Sequence, residues 1–147
     1  MQLRPMVESD VDFFFECLDE LRGEASYSVD EFVQYLEANA LIGHHDFRLL
    51  VGVSGKESVG ILTCNRLAMP RYIGFGYEIE EVVIHPKYQQ RGFGEALITA
   101  FLDWVAEDTD VRKVVVKTDD EVRAGKIYSR YFEMVEMNVY SRMISWI

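Results

Sequence analysis

Apolar residues recur with two different periods along this chain, and the switches between them mark its elements. Gln2 to Val7 reads as a short first strand. Ser9 followed by Asp12 has the form of a capping box, and Val11, Phe14, Phe15, Leu18 and Leu21 then recur at helical spacing up to Gly23. A second box, Ser28 with Glu31, opens a helix through Phe32, Leu36 and Ala40 that ends near Gly43. The period then changes. Phe47 to Val53 and Val59 to Leu67 are β-branched runs joined by Ser54-Gly55-Lys56, the form of a hairpin, and Gly76 to Ile84 is a third such run. Phe93, Ala96, Leu97, Ala100, Phe101, Trp104 and Val105 fit one helical face. Lys113 to Thr118 reads as a buried strand, Ala124, Ile127, Tyr128 and Tyr131 as a helix, and Val135 to Ile144 as a last strand.

The predicted order is β-α-α-β-β-β-α-β-α-β. No repeat or Pro/Gly-rich linker interrupts it, so residues 1–147 are expected to form a single α/β (α+β) domain.

Charge narrows the function. The chain has 147 residues, 49% of them hydrophobic, and carries a net charge of −10. That balance argues against nucleic-acid binding, which needs a basic face to neutralise phosphates, and against an anionic membrane surface. No apolar run reaches the ~18 residues of a membrane span. The opening residues lack a signal-peptide core, which points to the cytoplasm. Cys17 and Cys64 are isolated, and His44, His45 and His85 form no spaced ligand set with them, so neither a disulfide nor a metal site is expected. The acids are unevenly placed: residues 1–84 hold six basic and fifteen acidic residues, net −9, whereas residues 85–147 are net −1. A cationic ligand for the first half and an anionic one for the second is the sharper of the two readings; a merely solvated acidic face is the other.

The most specific stretch runs from Ile84-His85-Pro86 through Gln89-Gln90-Arg91-Gly92-Phe93-Gly94-Glu95. A strand ends, a proline turns the chain, and two glycines open a helix whose N-terminal amides lack intrahelical acceptors. Such an end attracts phosphate, and glycine lets the phosphate reach the backbone. The alternative is that the glycines only permit close helix–sheet packing. A P-loop is absent, and a dinucleotide fingerprint fails because its third glycine position holds Leu97 and His85 to Arg91 intervene after the strand.

The stretch resembles the acetyl-CoA signature of the GNAT superfamily of N-acetyltransferases, Q/R-x-x-G-x-G/A, at every fixed position, and the element order is similar to that family's over nearly the whole chain. The resemblance implies a mixed, mostly antiparallel sheet of about six strands flanked by four helices. It implies acetyl-CoA as co-substrate, with Gln89, Gln90, Arg91, Gly92, Phe93, Gly94 and Glu95 cradling the pyrophosphate and Val82, Val83 and Ile84 running beside the pantetheine arm. No metal is implied, and the family admits a homodimer. Ala124-Gly125-Lys126-Ile127-Tyr128 resembles the family's A-x-x-x-Y, whose tyrosine usually faces the CoA sulfur. The chain departs from the family at Glu121, where Asn is common, and at Tyr131-Phe132-Glu133, where Gly-Phe usually ends the helix.

Amine acetylation poses two proton problems. An amine with a pKa near 10 must lose a proton, and a thiolate leaving group departs more easily if it gains one. The resemblance makes Tyr128 the expected proton donor. Glu78, Glu80 and Glu81 enter the strand leading to the loop; the resemblance implies a base on this strand near Glu78 or Glu80, so Glu80, then Glu78, is the expected base. Strict alternation puts Glu78 and Glu80 on one face and Glu81 on the other, and a bulge would undo that parity. Without the resemblance, Tyr128 reads as part of a core stripe. The expected function is transfer of an acetyl group to a primary amine, small or peptidyl and cationic, by direct attack in a ternary complex. A non-catalytic acyl-CoA-binding regulator is the alternative.

Overall fold

In a computed structural model, residues 1–23, 25–118, 120–135, 137 and 139–144 are described. The chain divides into two compact units, residues 1–117 and 118–147.

The first unit is built on a five-stranded sheet of order β1-β2-β3-β4-β5: β1 (Gln2–Pro5), β2 (Phe47–Ser54), β3 (Glu57–Met69), β4 (Gly74–Ile84) and β5 (Val111–Val116). The first three pairings are antiparallel and the last is parallel, which is the mixed, mostly antiparallel sheet expected. The predicted hairpin forms, with Gly55 at its tip at φ +62°. The first predicted helix is split at Leu18 into α1 (Val11–Cys17) and α2 (Asp19–Arg22); α3 (Val29–Ala38) and α4 (Phe93–Ala106) complete the unit.

Alternation along the strands sorts the core into two layers. On one face Phe14 and Cys17 of α1 and Phe32 and Leu36 of α3 pack with Leu49, Val51, Ile61 and Val83. On the other, Leu97, Ile98, Phe101 and Val105 of α4 are buried, and alternation turns Leu50, Leu62 and Cys64 toward them. Each fully buried Leu, Ile or Phe contributes about 1.5–3 kcal/mol. This double layer fixes the sheet that carries the site.

Capping follows the sequence at one helix and departs from it at another. Ser28 and Glu31 exchange both hydrogen bonds of the predicted box. Ser9 and Asp12 do not: a 3-10 turn occupies Glu8–Asp10, and the Asp10 carboxylate accepts from the Val7 amide at 2.9 Å. The reason is Arg4. Its guanidinium grips Asp10 through two bonds of 2.7 and 2.9 Å, so Asp10 rather than Ser9 ties the helix entry to β1.

The second unit contains α5 (Ala124–Tyr128), entered through a turn in which the Asp120 side chain accepts from the Arg123 amide. The expected sixth strand over 135–144 is not found among the described residues of that segment. Its described residues carry no strand pairing, and Val139, Tyr140 and Ile144 are largely exposed. An alternating pattern supplies a face for a strand but not a partner backbone. Residues 136 and 138 of that segment lie outside the described residues.

The Arg4 hydrogen bonds, reinforced by the Val7 amide, hold the Asp10 carboxyl below its ordinary value against the opposing effect of burial. A depressed folded value stabilises above the unfolded carboxyl pKa of about 4 and is lost as pH falls through the folded value. Asp10→Asn should therefore cost about 2 kcal/mol at pH 7 and a smaller amount below pH 4. Urea denaturation at the two pH values checks this; an equal loss at both would remove the ion pair from the stability balance.

Candidate functional site

The site grows from the register between β3 and β4. Their ladder runs from Gly60↔Ile84 to Thr63↔Glu81 and then jumps to Cys64↔Ile79, leaving Glu80 as an extra residue on β4. This is a β-bulge, which bends the strand and increases its local twist. The β4–β5 pairing stops at Ile79↔Val116, immediately before the bulge. From Glu81 to Ile84, β4 is paired with β3 on one side, and from Glu80 onward the β5 side carries no ladder among the described residues. Val82, Val83 and Ile84 thus present a strand edge that leads into the glycine loop.

The bulge also rearranges the acids. Residues directly opposite in a ladder share a face, so Glu81 lies with Thr63 and Glu78 with Asn65. Ile61 and Val83 mark that face as the one covered by α1 and α3. Strict alternation had put Glu81 on the face away from Glu78; the extra residue brings the two together and turns Glu80 outward, where it is exposed. Thr63, 2% exposed, donates its hydroxyl proton to Glu81 Oε2 at 2.6 Å. Glu78 pairs with the Lys117 ammonium, and Glu80 Oε1 lies 3.5 Å from Asn65 Nδ2. Sequence reasoning missed the contact between Thr63 and Glu81, because a cross-strand partner is set by register and leaves no local pattern.

The loop is braced from several sides. Gln89 Nε2 donates to the Ile84 carbonyl at 2.9 Å, tying loop to strand end. The buried Tyr88 donates its hydroxyl to Glu57 Oε2 at 2.9 Å. His85 Nδ1 accepts from the Lys87 amide, which leaves the proton on Nε2 to donate to Glu16 at 3.0 Å, while the ring stacks on Phe13 at 5.4 Å. Above this base the backbone turns sharply: Gln90 has φ +62° and Gly92 φ +81°. A side chain at Gly92 would meet open space, so glycine is there for its conformation and not for packing. Phe93 sets its ring edge-on against Tyr88 at 6.2 Å. Arg91 is exposed, with its guanidinium 5.9 Å from the same ring. The first intrahelical bond of α4 is Ala96 N–H to the Gly92 carbonyl. The amides of Phe93 and Gly94 have no intrahelical acceptor, because the helix starts with them.

A cleft of about 320 Å³ opens beside the strand exit, lined by Phe15, Glu16, Asp19, Arg22, His85 and Pro86. Cys17 and Cys64 are buried, and burial pushes each thiol up to about 12, which leaves no ready thiolate nucleophile. Tyr128 sits at the end of α5 in the second unit, its ring edge-on to Phe132 at 6.0 Å. Burial raises its pKa, so the phenol keeps its proton at neutral pH.

The acetyltransferase (GNAT) family model matches residues 8–133, which span every element named above except β1. The chain belongs to the GNAT acetyltransferase family. Solved structures agree in fold. This GNAT chain is 17% identical to a ribosomal-protein-alanine N-acetyltransferase from Brucella melitensis biovar Abortus 2308, with a TM-score of 0.76 over 98% of this chain and 99% of the other. It is 20% identical, at TM-score 0.68, to an aminoglycoside acetyltransferase from an uncultured soil metagenomic sample solved with sisomicin, over 97% and 96%. It is 19% identical, at TM-score 0.77, to a transcriptional regulator from Bacillus halodurans C-125, over 97% and 99%. No curated protein matches the chain in sequence.

Proposed function

We propose that this GNAT protein transfers an acetyl group from acetyl-CoA to a positively charged primary amine by direct attack in a ternary complex, with residues 1–147 acting as one acetyltransferase unit. The observation that carries the reading is the open edge of β4 from Glu80 to Ile84, running into a helix start whose loop is held in left-handed turns. Val82, Val83 and Ile84 offer main-chain groups to an extended amide-bearing arm. The start of α4, with Gln90, Arg91, Gly92, Phe93, Gly94 and Glu95, offers amides and a helix dipole to a pyrophosphate. In this proposal Gln89 braces the loop through its bond to Ile84.

Acetyl-CoA, when bound, supplies an activated thioester, so no covalent intermediate on the protein is needed. The chain's own residues manage protons. The acceptor's proton goes to a carboxylate drawn from Glu78, Glu80 and Glu81. The register favours Glu81, because Thr63 fixes one of its oxygens while Glu78 is engaged by Lys117. Glu80, exposed at the bulge, and Glu16 and Asp19 beside the strand exit supply negative charge to attract a cation. Tyr128 is assigned the proton that the leaving thiolate takes up, by its match to the family's A-x-x-x-Y and its retained phenolic proton. The names of two structural neighbours, an aminoglycoside and a ribosomal-protein acetyltransferase, are consistent with a cationic acceptor.

Gly94→Asp should weaken acetyl-CoA binding ~10-fold or more, about 1.4 kcal/mol, with the fold intact, because it puts a carboxylate where a phosphate is proposed to sit. Titration calorimetry is the check, and wild-type affinity in the folded variant would remove the loop from the site.

Release of free CoA thiol with a panel of amines tests the proton assignments. Glu81→Gln and Tyr128→Phe should each lower turnover roughly 10²–10⁴-fold with acetyl-CoA affinity nearly unchanged. A larger loss in Glu80→Gln or Glu78→Gln than in Glu81→Gln would move the base accordingly. Binding of acetyl-CoA without thiol release, for every amine, would make the protein an acyl-CoA-binding regulator.

The preferred amine should be a cation whose KM rises between low and 0.1 M salt, since exposed charges are screened beyond ~10 Å at that ionic strength. Preference for an anionic amine such as glutamate, with KM indifferent to salt, would show the acids of residues 1–84 to be merely solvated.

A further inference from the structure

The end of the β4–β5 pairing carries a primary amine of the protein's own. The ladder between the two strands stops at Ile79↔Val116, and Lys117 is the next residue of the chain. Past that point β4 continues through Glu80 with its β5 side unpaired, so Lys117 stands at the mouth of the splay. Glu78 is the partner of Val115, and side chains two apart along a strand share a face. Lys117 comes to that same face, where Glu78 Oε1 accepts a hydrogen bond from its ammonium.

The proposed course of acetyl-CoA puts its acyl end at the same place. With the pyrophosphate at the start of α4 and the arm beside Ile84, Val83 and Val82, the arm runs back along β4 toward the bulge at Glu80. The acyl group is thereby delivered to the splay.

The chain has five lysines, Lys56, Lys87, Lys113, Lys117 and Lys126, and all are exposed. Only Lys117 is held by a carboxylate among the described residues. As an exposed ion pair this contact contributes little to stability. It does confine a long, flexible side chain to one position, and it keeps a proton acceptor against the ammonium.

We propose that Lys117 is a self-acetylation site, its ε-amine taking the acetyl group from acetyl-CoA bound to the same chain. The proposal rests on the transfer reading above. Lys117 gives one ammonium proton to Glu78, and its nitrogen forms the C–N bond to the acetyl carbon. The C–S bond breaks with its electron pair on sulfur, and a second nitrogen proton passes to that thiolate, so CoA leaves as the thiol. The product side chain is a neutral amide, which no longer binds Glu78 and leaves that carboxylate to an incoming cation.

Incubation of the full chain with acetyl-CoA and no amine, followed by peptide mass spectrometry, tests it. Lys117 should be acetylated at least ~10-fold faster than each other lysine, as a positioned amine is. The Glu78 hydrogen bond and charge raise the Lys117 pKa, so unaided acetylation is disfavoured there and the preference reports an assisted reaction. The fractional rate should not change with protein concentration, and unfolding the chain in urea beforehand should abolish the preference. Glu78→Gln should lower the Lys117 rate about 10-fold or more. Comparable acetylation of all five lysines, a wild-type rate in Glu78→Gln, or a rate proportional to protein concentration would overturn the proposal. Thiol release with added amines but no acetyl group on Lys117 overturns it and leaves the transfer reading standing. Absence of thiol release under every condition sinks both.

Discussion

A single extra residue in the β3–β4 ladder organises the site. Glu80 has no opposite number on β3, and the strand bends and twists around it. Pairing with β5 ends one residue earlier, so the same irregularity coincides with the opening of the sheet edge. A bulge also shifts side-chain parity by one, as a register slip does. Glu81 is thereby set against Thr63 on the face covered by α1 and α3, and Ile79 is turned to the α4 layer. One backbone insertion thus opens an edge and gathers carboxylates beside it.

The two core layers hold that arrangement in place. On one side Ile61 and Val83 are locked under Phe14 and Leu36; on the other Phe101 packs against Tyr77. A bulge without such flanking burial would slide, since register is firmly specified only where a face is buried. The loop that follows is anchored by the same logic at its base. Tyr88, His85 and Gln89 each spend a polar group on a neighbouring element, and only then does the backbone enter the left-handed conformations at Gln90 and Gly92. A strained non-glycine residue persists where its surroundings over-determine it.

Polar groups on the two faces are treated differently. On the α1/α3 face, Glu78 and Glu81 have partners in Lys117 and Thr63. On the α4 face, Arg66 and Asp108 satisfy each other, whereas Arg48 Nε is buried with no hydrogen-bond partner among the described residues.

Much of the molecule was legible in the chain. The Ser28–Glu31 box, the hairpin around Gly55, the apolar face of α4 and the glycine loop are local patterns, each confined to a few turns of chain, and periodicity or turn chemistry reports them directly. The loop sequence also carried the family. Two local readings failed for want of a distant partner: Ser9 lost its cap to Asp10 because Arg4 on β1 reaches it, and the alternating segment 135–144 has no strand pairing in its described residues. The site's acids belong to the same class. Sequence names Glu78, Glu80 and Glu81, but which of them shares a face with Thr63 depends on a register shift between strands, and an insertion of one residue reverses every side chain beyond it. Local pattern therefore determined most of the elements and the glycine loop. Tertiary pairing decided which carboxylate faces Thr63, because the facing of a strand is a property of two strands' hydrogen bonds and not of one strand's pattern.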